Sequence, residues 1–551
     1  MNKKLQIILT FLMVFTVGCK QEKAPKEAVK AIAGSATTSP VDDSVIALQS
    51  VAAPEAFNFK SRYSFSKNYV RPISKQGVGD ARTDLSAAEL SVRYAKLKKL
   101  GVAFKEYNFW WSALESSGLT SSSAPIACPA GYKLIPANEA ERIAMGYHKY
   151  RCASLGHLAN FDNLFQKDQA AGIQTAIIMW SSPPVYRYPG CLGFPWASGS
   201  LKDGCVPRDD AMDDFEDYAN ILASRYNGGS FGKISHFIVW NENASPGWFD
   251  YTPVTSNSSI ASVNVEKRID KYADMMKRVH NALVRHQKSA MMYASTDMLW
   301  TPGHDKGHFG SKWLIDGLWA RLGLEYSWSV AVHPYGEVDQ TPGDGTYTFN
   351  NLEMVVDHQI EKLRERGVSD PNRYPQAVLI ASEQGWPLTT AAGMAGVMGR
   401  ENQARQLCLA HDKVMSMNQV LAVAHNYFQS IEPADSEVNG TSGQGAFFGL
   451  IPYGVPSDLS GMETTATGKA YISTLNPRNW KQRDDHYCCD MYKVGCRENT
   501  PNKVASIEET HQVTGVIMVS LKLEISMWFQ DGHVREEWII QFLFIYMSAV
   551  H

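Results

Sequence analysis

The chain has 551 residues, 44% of them hydrophobic and 11% aromatic, with a formal net charge of −3. That length supports a large core with further segments attached. A near-neutral chain with no Lys/Arg-rich stripe speaks against a nucleic-acid partner, and 14 Trp offer many flat apolar surfaces for packing or for a ligand.

Lys3 and Lys4 precede an apolar stretch from Leu5 to Val17, followed by Gly18-Cys19. A basic start and a short apolar run predict an export signal over 1–19, too short for a membrane span. Thr16-Val17-Gly18-Cys19 resembles the bacterial lipobox, with Thr16 where Leu is usual. The resemblance implies acylation of Cys19 and a lipid anchor in the cell envelope as the only membrane link; plain secretion is the alternative. Residues 20–59, rich in Ala, Ser, Thr, Lys and Glu, read as a flexible tether.

Apolar spacing then alternates between helical and strand periods. Ala87 to Leu100, Leu158 to Ala171, Phe215 to Tyr226, Val265 to Gln287, Trp313 to Leu322, Leu352 to Gly367 and Gln403 to Met417 read as helices. Val102 to Phe109, Ile173 to Trp180, Ile234 to Trp240, Ala290 to Ser295, Trp328 to Val332, Ala377 to Ala381 and Val420 to Phe428 read as strands. Strands apolar on both faces, each followed by a helix, imply a parallel sheet covered by helices. An eighth strand is expected between Trp110 and Tyr150, closing a (β/α)₈ barrel over 60–480. A doubly wound sheet would place a Gly-rich phosphate loop after the first strand, where Tyr107-Asn108-Phe109-Trp110-Trp111 stands instead. The excess length falls in loops near 111–157, 181–213, 243–264, 335–350 and 429–460, the material for a deep cleft. Residues 481–551 break the alternation, and the apolar run from Trp538 to Val550 has no evident partner.

Setting Cys19 aside leaves eight of the nine cysteines. In an oxidising compartment the pairs Cys128–Cys152 and Cys191–Cys205, each bracketing a loop, are expected to bridge, although sequence alone leaves connectivity open. Cys408, in a helical pattern, reads as a buried free thiol. Cys488-Cys489 with Cys496 lacks the paired spacing of a zinc site.

Two apolar strands end abruptly in a glutamate, at Trp240-Asn241-Glu242 and at Ser382-Glu383-Gln384-Gly385-Trp386, with His333-Pro334-Tyr335-Gly336 closing the strand between. Two carboxyls are what glycosidic cleavage requires, about 5–5.5 Å apart when configuration is retained. In this order the motifs, over roughly residues 95–430, resemble the clan A glycoside hydrolases, barrels with catalytic glutamates after strands four and seven. The look is nearest to the family 39 and family 5 style. Asn243 stands where those often have Pro, so no family within the clan is assigned. The resemblance implies Glu242 as acid/base and Glu383 as nucleophile. It fits Asn241 on the sugar 2-hydroxyl, Tyr335 donating to Glu383, and His333 supporting the pair or touching substrate.

Sugar rings pack their C–H faces on aromatic planes. Trp180, Trp248 and Trp386 are the leading candidate platforms among Tyr186, Tyr188, Trp196, Phe249, Trp300 and Tyr427, and His425 ends the last strand. Arg187 and Arg208 offer charge to an anionic sugar. His304-Asp305 with His308 sits in a Gly-rich loop and reads as solvated or substrate-facing, so no metal and no cofactor is expected. The rivals are a glycan-binding lipoprotein on an inactive barrel and a metal-dependent hydrolase on the same fold.

Overall fold

The computed structural model describes residues 76–79, 85–191, 204–251, 262–302, 308–339, 345–386, 400–425, 465–474, 487–494, 496, 517–526 and 537–546. The chain divides into two compact units, Met1–Arg497 and Glu498–His551. Cys19, Trp196, His304 and Tyr427, singled out above, lie outside the described residues.

Eight parallel strands close a (β/α)₈ barrel: β1 (Gln76–Gly79), β2 (Phe104–Trp110), β3 (Gln174–Trp180), β4 (Ile234–Val239), β5 (Met291–Thr296), β6 (Ser329–Val332), β7 (Leu379–Gln384) and β8 (Val420–His425). Each strand pairs with its sequence neighbour, and β1 closes the ring by pairing with both β2 and β8. Eight helices follow in turn: α1 (Ala87–Leu100), α2 (Leu155–Ala171), α3 (Met212–Arg225), α4 (Ser262–His286), α5 (Ser311–Arg321), α6 (Glu353–Glu365), α7 (Arg400–Ser416) and α8 (Ala466–Thr474). Helix boundaries follow local chemistry. Ser86 and Glu89 form a reciprocal capping box at the start of α1, and Gly101, in the left-handed region, ends it.

The eighth strand is not where the sequence placed it. Residues 111–154 instead build a side sheet of three antiparallel strands, Thr120–Ser121, Tyr150–Ser154 and Tyr132–Ile135, with Tyr150–Ser154 in the middle. The barrel's missing member is β1, ahead of the first helix. The side sheet is anchored by buried Arg151, which bonds Glu115 at 2.9 Å and also holds Asp214 and Asp217 of α3. Cys128–Cys152 and Cys191–Cys205 are disulfides, as expected. Cys408 is not a free thiol: it bridges to Cys488, and Cys489 bridges to Cys496. The short helix Tyr487–Tyr492 also sets its Tyr492 hydroxyl on the Glu401 carbonyl of α7, which carries the barrel unit past residue 480. In the second unit, Ile517–Ser526 and Glu537–Tyr546 pair as an antiparallel ladder.

Alternation along the strands decides which side chains enter the barrel. Tyr107 on β2 faces outward against Phe161 and Phe165 of α2. Phe104, of opposite parity, faces inward against His236 of β4. His236 holds Gln174 and Tyr293 at 2.9 Å each, a polar floor across β3, β4 and β5. Burial pushes this imidazole down to about 3, so it stays neutral.

Candidate active site

Active sites of this architecture form at the C-terminal ends of the strands, and both glutamates stand there. Glu242 lies three residues past the end of β4. The chain turns through two left-handed non-glycine residues, Trp240 (φ 62°) and Glu242 itself (φ 42°). Such strain persists only where surroundings over-determine it. Here Tyr272 of α4 donates to the Val239 carbonyl at 2.6 Å, Trp240 Nε1 to the Trp248 carbonyl at 2.6 Å, and the Glu242 amide to Ser295 Oγ at 3.0 Å. Asn243 Nδ2 donates to the Ser295 carbonyl at 3.0 Å. The residue that departs from the resembled Trp-Asn-Glu-Pro pattern is thus a strut between β4 and β5.

Glu383 lies within β7, where pairing with β8 slips between Ala381 and Gln384. A local register slip re-aims a side chain. Tyr335 Oη donates to Glu383 Oε2 at 3.1 Å, the contact anticipated from sequence. His333, at the end of β6, joins the two acids: its Nδ1 is 2.9 Å from Glu242 Oε1 and 3.7 Å from Glu383 Oε2. The three side chains bring one ligating atom each within 4.8 Å of one another. Both glutamate side chains remain 19% exposed, whereas His333 is fully buried.

The electrostatics are asymmetric. Burial raises the Glu242 carboxyl above its ordinary range; His333 opposes that, and Asp297 and Glu383 add to it. Burial pulls the His333 imidazole down, but Glu383 and Glu242 outweigh it and bring it up to about 9. The other donor cluster, Cys191, Cys205 and Asp250, has both sulfurs in a disulfide and offers no thiolate.

Several polar atoms here are buried without a hydrogen-bond partner: Asn241 Oδ1, His333 Nε2 and Trp180 Nε1. Native proteins rarely leave such groups unsatisfied without a reason, and a ligand is one. Trp180 at the end of β3 packs its ring 5.3 Å from Trp248, forming a wall beside the mouth. Trp110 ends the adjacent strand, in register with Trp180, and is 45% exposed. Sequence reasoning did not single it out, although its place at a strand end was the signal.

Two expected sugar contacts are corrected. Trp386 is 1% exposed, with its ring N–H on the Gly336 carbonyl at 2.8 Å and its ring against Phe349 and His425. It pins the loop after β6 and offers no face to a sugar. His425 is fully buried and accepts from Gln384 Nε2 at 3.2 Å. Tyr186, Phe249 and Trp300 are buried. Tyr188 packs on Tyr251. Arg208 is paired with Asp210 at 2.9 Å, and Arg187 donates to the Ser182 carbonyl at 2.5 Å, so each charge is engaged locally. His308 binds Asp297, which follows β5 and was also unremarked in the sequence.

Fold and site together define a (β/α)₈ barrel protein with a paired-carboxylate mouth. The chain belongs to the family described as a family of unknown function (DUF5722), whose model matches residues 148–431. No curated protein matches the chain. Among solved structures, it is similar to the endo-β-1,4-mannanase of Thermotoga petrophila, at 11% identity, covering 75% of this chain and 78% of that one, with a TM-score of 0.39. It is also similar to a monomeric β-xylosidase of Caulobacter crescentus (12% identity, 74% and 69% covered, TM-score 0.42). A third is GH5_18 from Streptomyces cattleya in complex with GlcNAc (13% identity, 76% and 82% covered, TM-score 0.43). Likeness at this level carries no argument about the reaction.

Proposed function

We propose that this protein is a retaining glycoside hydrolase acting on a poly- or oligosaccharide, with Glu383 as nucleophile and Glu242 as acid/base. The observation that carries the reading is the meeting of the two carboxylates: glutamates 141 positions apart in sequence bring oxygens within 4.8 Å across the barrel mouth. Spacing of that order suits direct attack on an anomeric carbon, leaving no room for an intervening water.

In the first step a Glu383 oxygen bonds to the anomeric carbon while the Glu242 proton passes to the departing glycosidic oxygen. In the second, Glu242, now a carboxylate, takes a proton from water, whose oxygen displaces Glu383 and restores both groups. The raised Glu242 carboxyl suits the acid role. The Tyr335 hydroxyl steadies Glu383, and the positive His333 beside both acids offsets the negative charge that moves between them. The unpartnered Asn241 oxygen is placed to accept from a sugar hydroxyl, and Trp248 and Trp110 are the ring platforms, with Trp180, 8% exposed, backing Trp248.

The test is a panel of polysaccharides incubated with wild type and Glu383→Gln, with product anomers followed by NMR. Wild type should release the retained anomer, and the variant should lose at least about a thousandfold in kcat while still binding. Net inversion would overturn the assignment of Glu383. Glycan binding with no release of reducing ends would replace the enzyme with a binding protein, and turnover abolished by chelator would point to the metal-dependent rival.

A further inference from the structure

One acidic side chain at the mouth has no part in the steps above. Glu106 sits on β2 two residues after Phe104, so it shares that residue's inward parity, above the His236 floor. It is 6% exposed, and its Oε2 is buried with no hydrogen-bond partner. Its register partners, Gly79 on β1 and Ala176 on β3, carry no charge. Among the described residues, the titratable groups on the other strands and their ends are His236 and Glu242 (β4), Tyr293 and Asp297 (β5), His333 and Tyr335 (β6), Glu383 (β7) and His425 (β8). Lys105, its chain neighbour, faces the other way, onto Tyr94 and Asp168. Burial first, and then the charge of Glu383, drive the Glu106 carboxyl well above its ordinary range.

An ionised carboxylate in that place would be desolvated, and the charge of Glu383 would oppose it. We propose that Glu106 is a positioning residue for Glu383: the two carboxyls carry one negative charge between them, and the proton held by Glu106 keeps that charge on the nucleophile. This rests on the reading of Glu383 as nucleophile. While Glu383 is esterified to sugar, the pair carries no charge; when the ester breaks, the charge returns to Glu383, since Glu106 is still protonated. Loss of the Glu106 proton at high pH would put a second charge at the mouth and shut the reaction down, in addition to loss of the acid on Glu242.

Glu106→Gln keeps the shape and is permanently uncharged. It should retain kcat/KM within about threefold of wild type near neutrality, and its alkaline limb should show one ionisation fewer than that of wild type. Silencing at every pH, or a profile that superimposes on wild type, overturns the proposal. A second measurement needs no turnover. The infrared band of a protonated carboxyl, isolated as wild type minus Glu106→Gln, should be present at neutral pH. With Glu383→Gln as background, the like charge is gone, and the band should titrate at lower pH than in wild type. A band that is missing, or that does not move, overturns the proposal. Absence of glycosidase turnover with the infrared result intact would sink only the catalytic reading.

Discussion

Lys105 and Glu106 are adjacent on β2 but serve two different interiors. Lys105 turns outward between the strand and its helices, where Asp168 accepts from Tyr94 and Tyr107 at 2.8 Å each and from Thr175 at 3.0 Å, and Lys105 donates to Tyr94 at 2.9 Å. Every charge in that cluster is answered by protein. Glu106 turns inward, to a mouth where Asn241, His333 and Trp180 keep buried polar atoms without protein partners. The first cluster is finished by folding, and the second is left for a ligand to finish. A buried charge is therefore weak as a marker of function, and an unanswered one is a better marker.

The contrast can be broken most severely at Asp168. Asp168→Ala strands Lys105 in a buried site and should cost about 3–5 kcal/mol in urea unfolding. The folded fraction should keep its full activity, and a specific loss of kcat would show that the two interiors are not independent. His333 tests the mouth by pH. Its folded-state value, about 9, lies above the ordinary 6.5, so the native state holds the proton more tightly. That stability is fully present below pH 6.5 and is lost as pH rises through about 9, on the order of 3 kcal/mol. His333→Asn should flatten that part of the urea profile; an unchanged profile would remove His333 from the charge balance. The smallest effect is expected at Tyr335→Phe, which deletes one hydrogen bond to a charged acceptor. A loss of about tenfold in kcat with unchanged melting behaviour fits such a bond. A large drop in stability instead would move Tyr335 into the answered class.

The regular part of the barrel was legible because its strands are apolar on both faces and its helices carry capping residues, as at Ser86 and Gly101. The strand β1 was not. Gln76-Gly77-Val78-Gly79 is four residues with two glycines, and its pairing is held by backbone on either side, with no hydrophobic run to announce it. The paired glutamates were visible as acids ending apolar runs. Trp386 misled for the same reason: a strand end shows where a residue stands, while the tie to the Gly336 carbonyl that turns its ring away from the cleft depends on a separate loop. Glu106 was missed although Lys105-Glu106 puts two charges into a strand of the barrel, because only the barrel's closure reveals which of the two points inward. The partner of Cys408 lies 80 residues away, a separation no local pattern encodes.

That last bond encloses β8 and α8 within a covalent ring. A peptide bond cut anywhere inside the ring leaves both new ends tethered, so the cylinder's final stave cannot drift off after a single nick. The barrel would thereby keep its closing strand until a reductant, and not merely a blade, arrived.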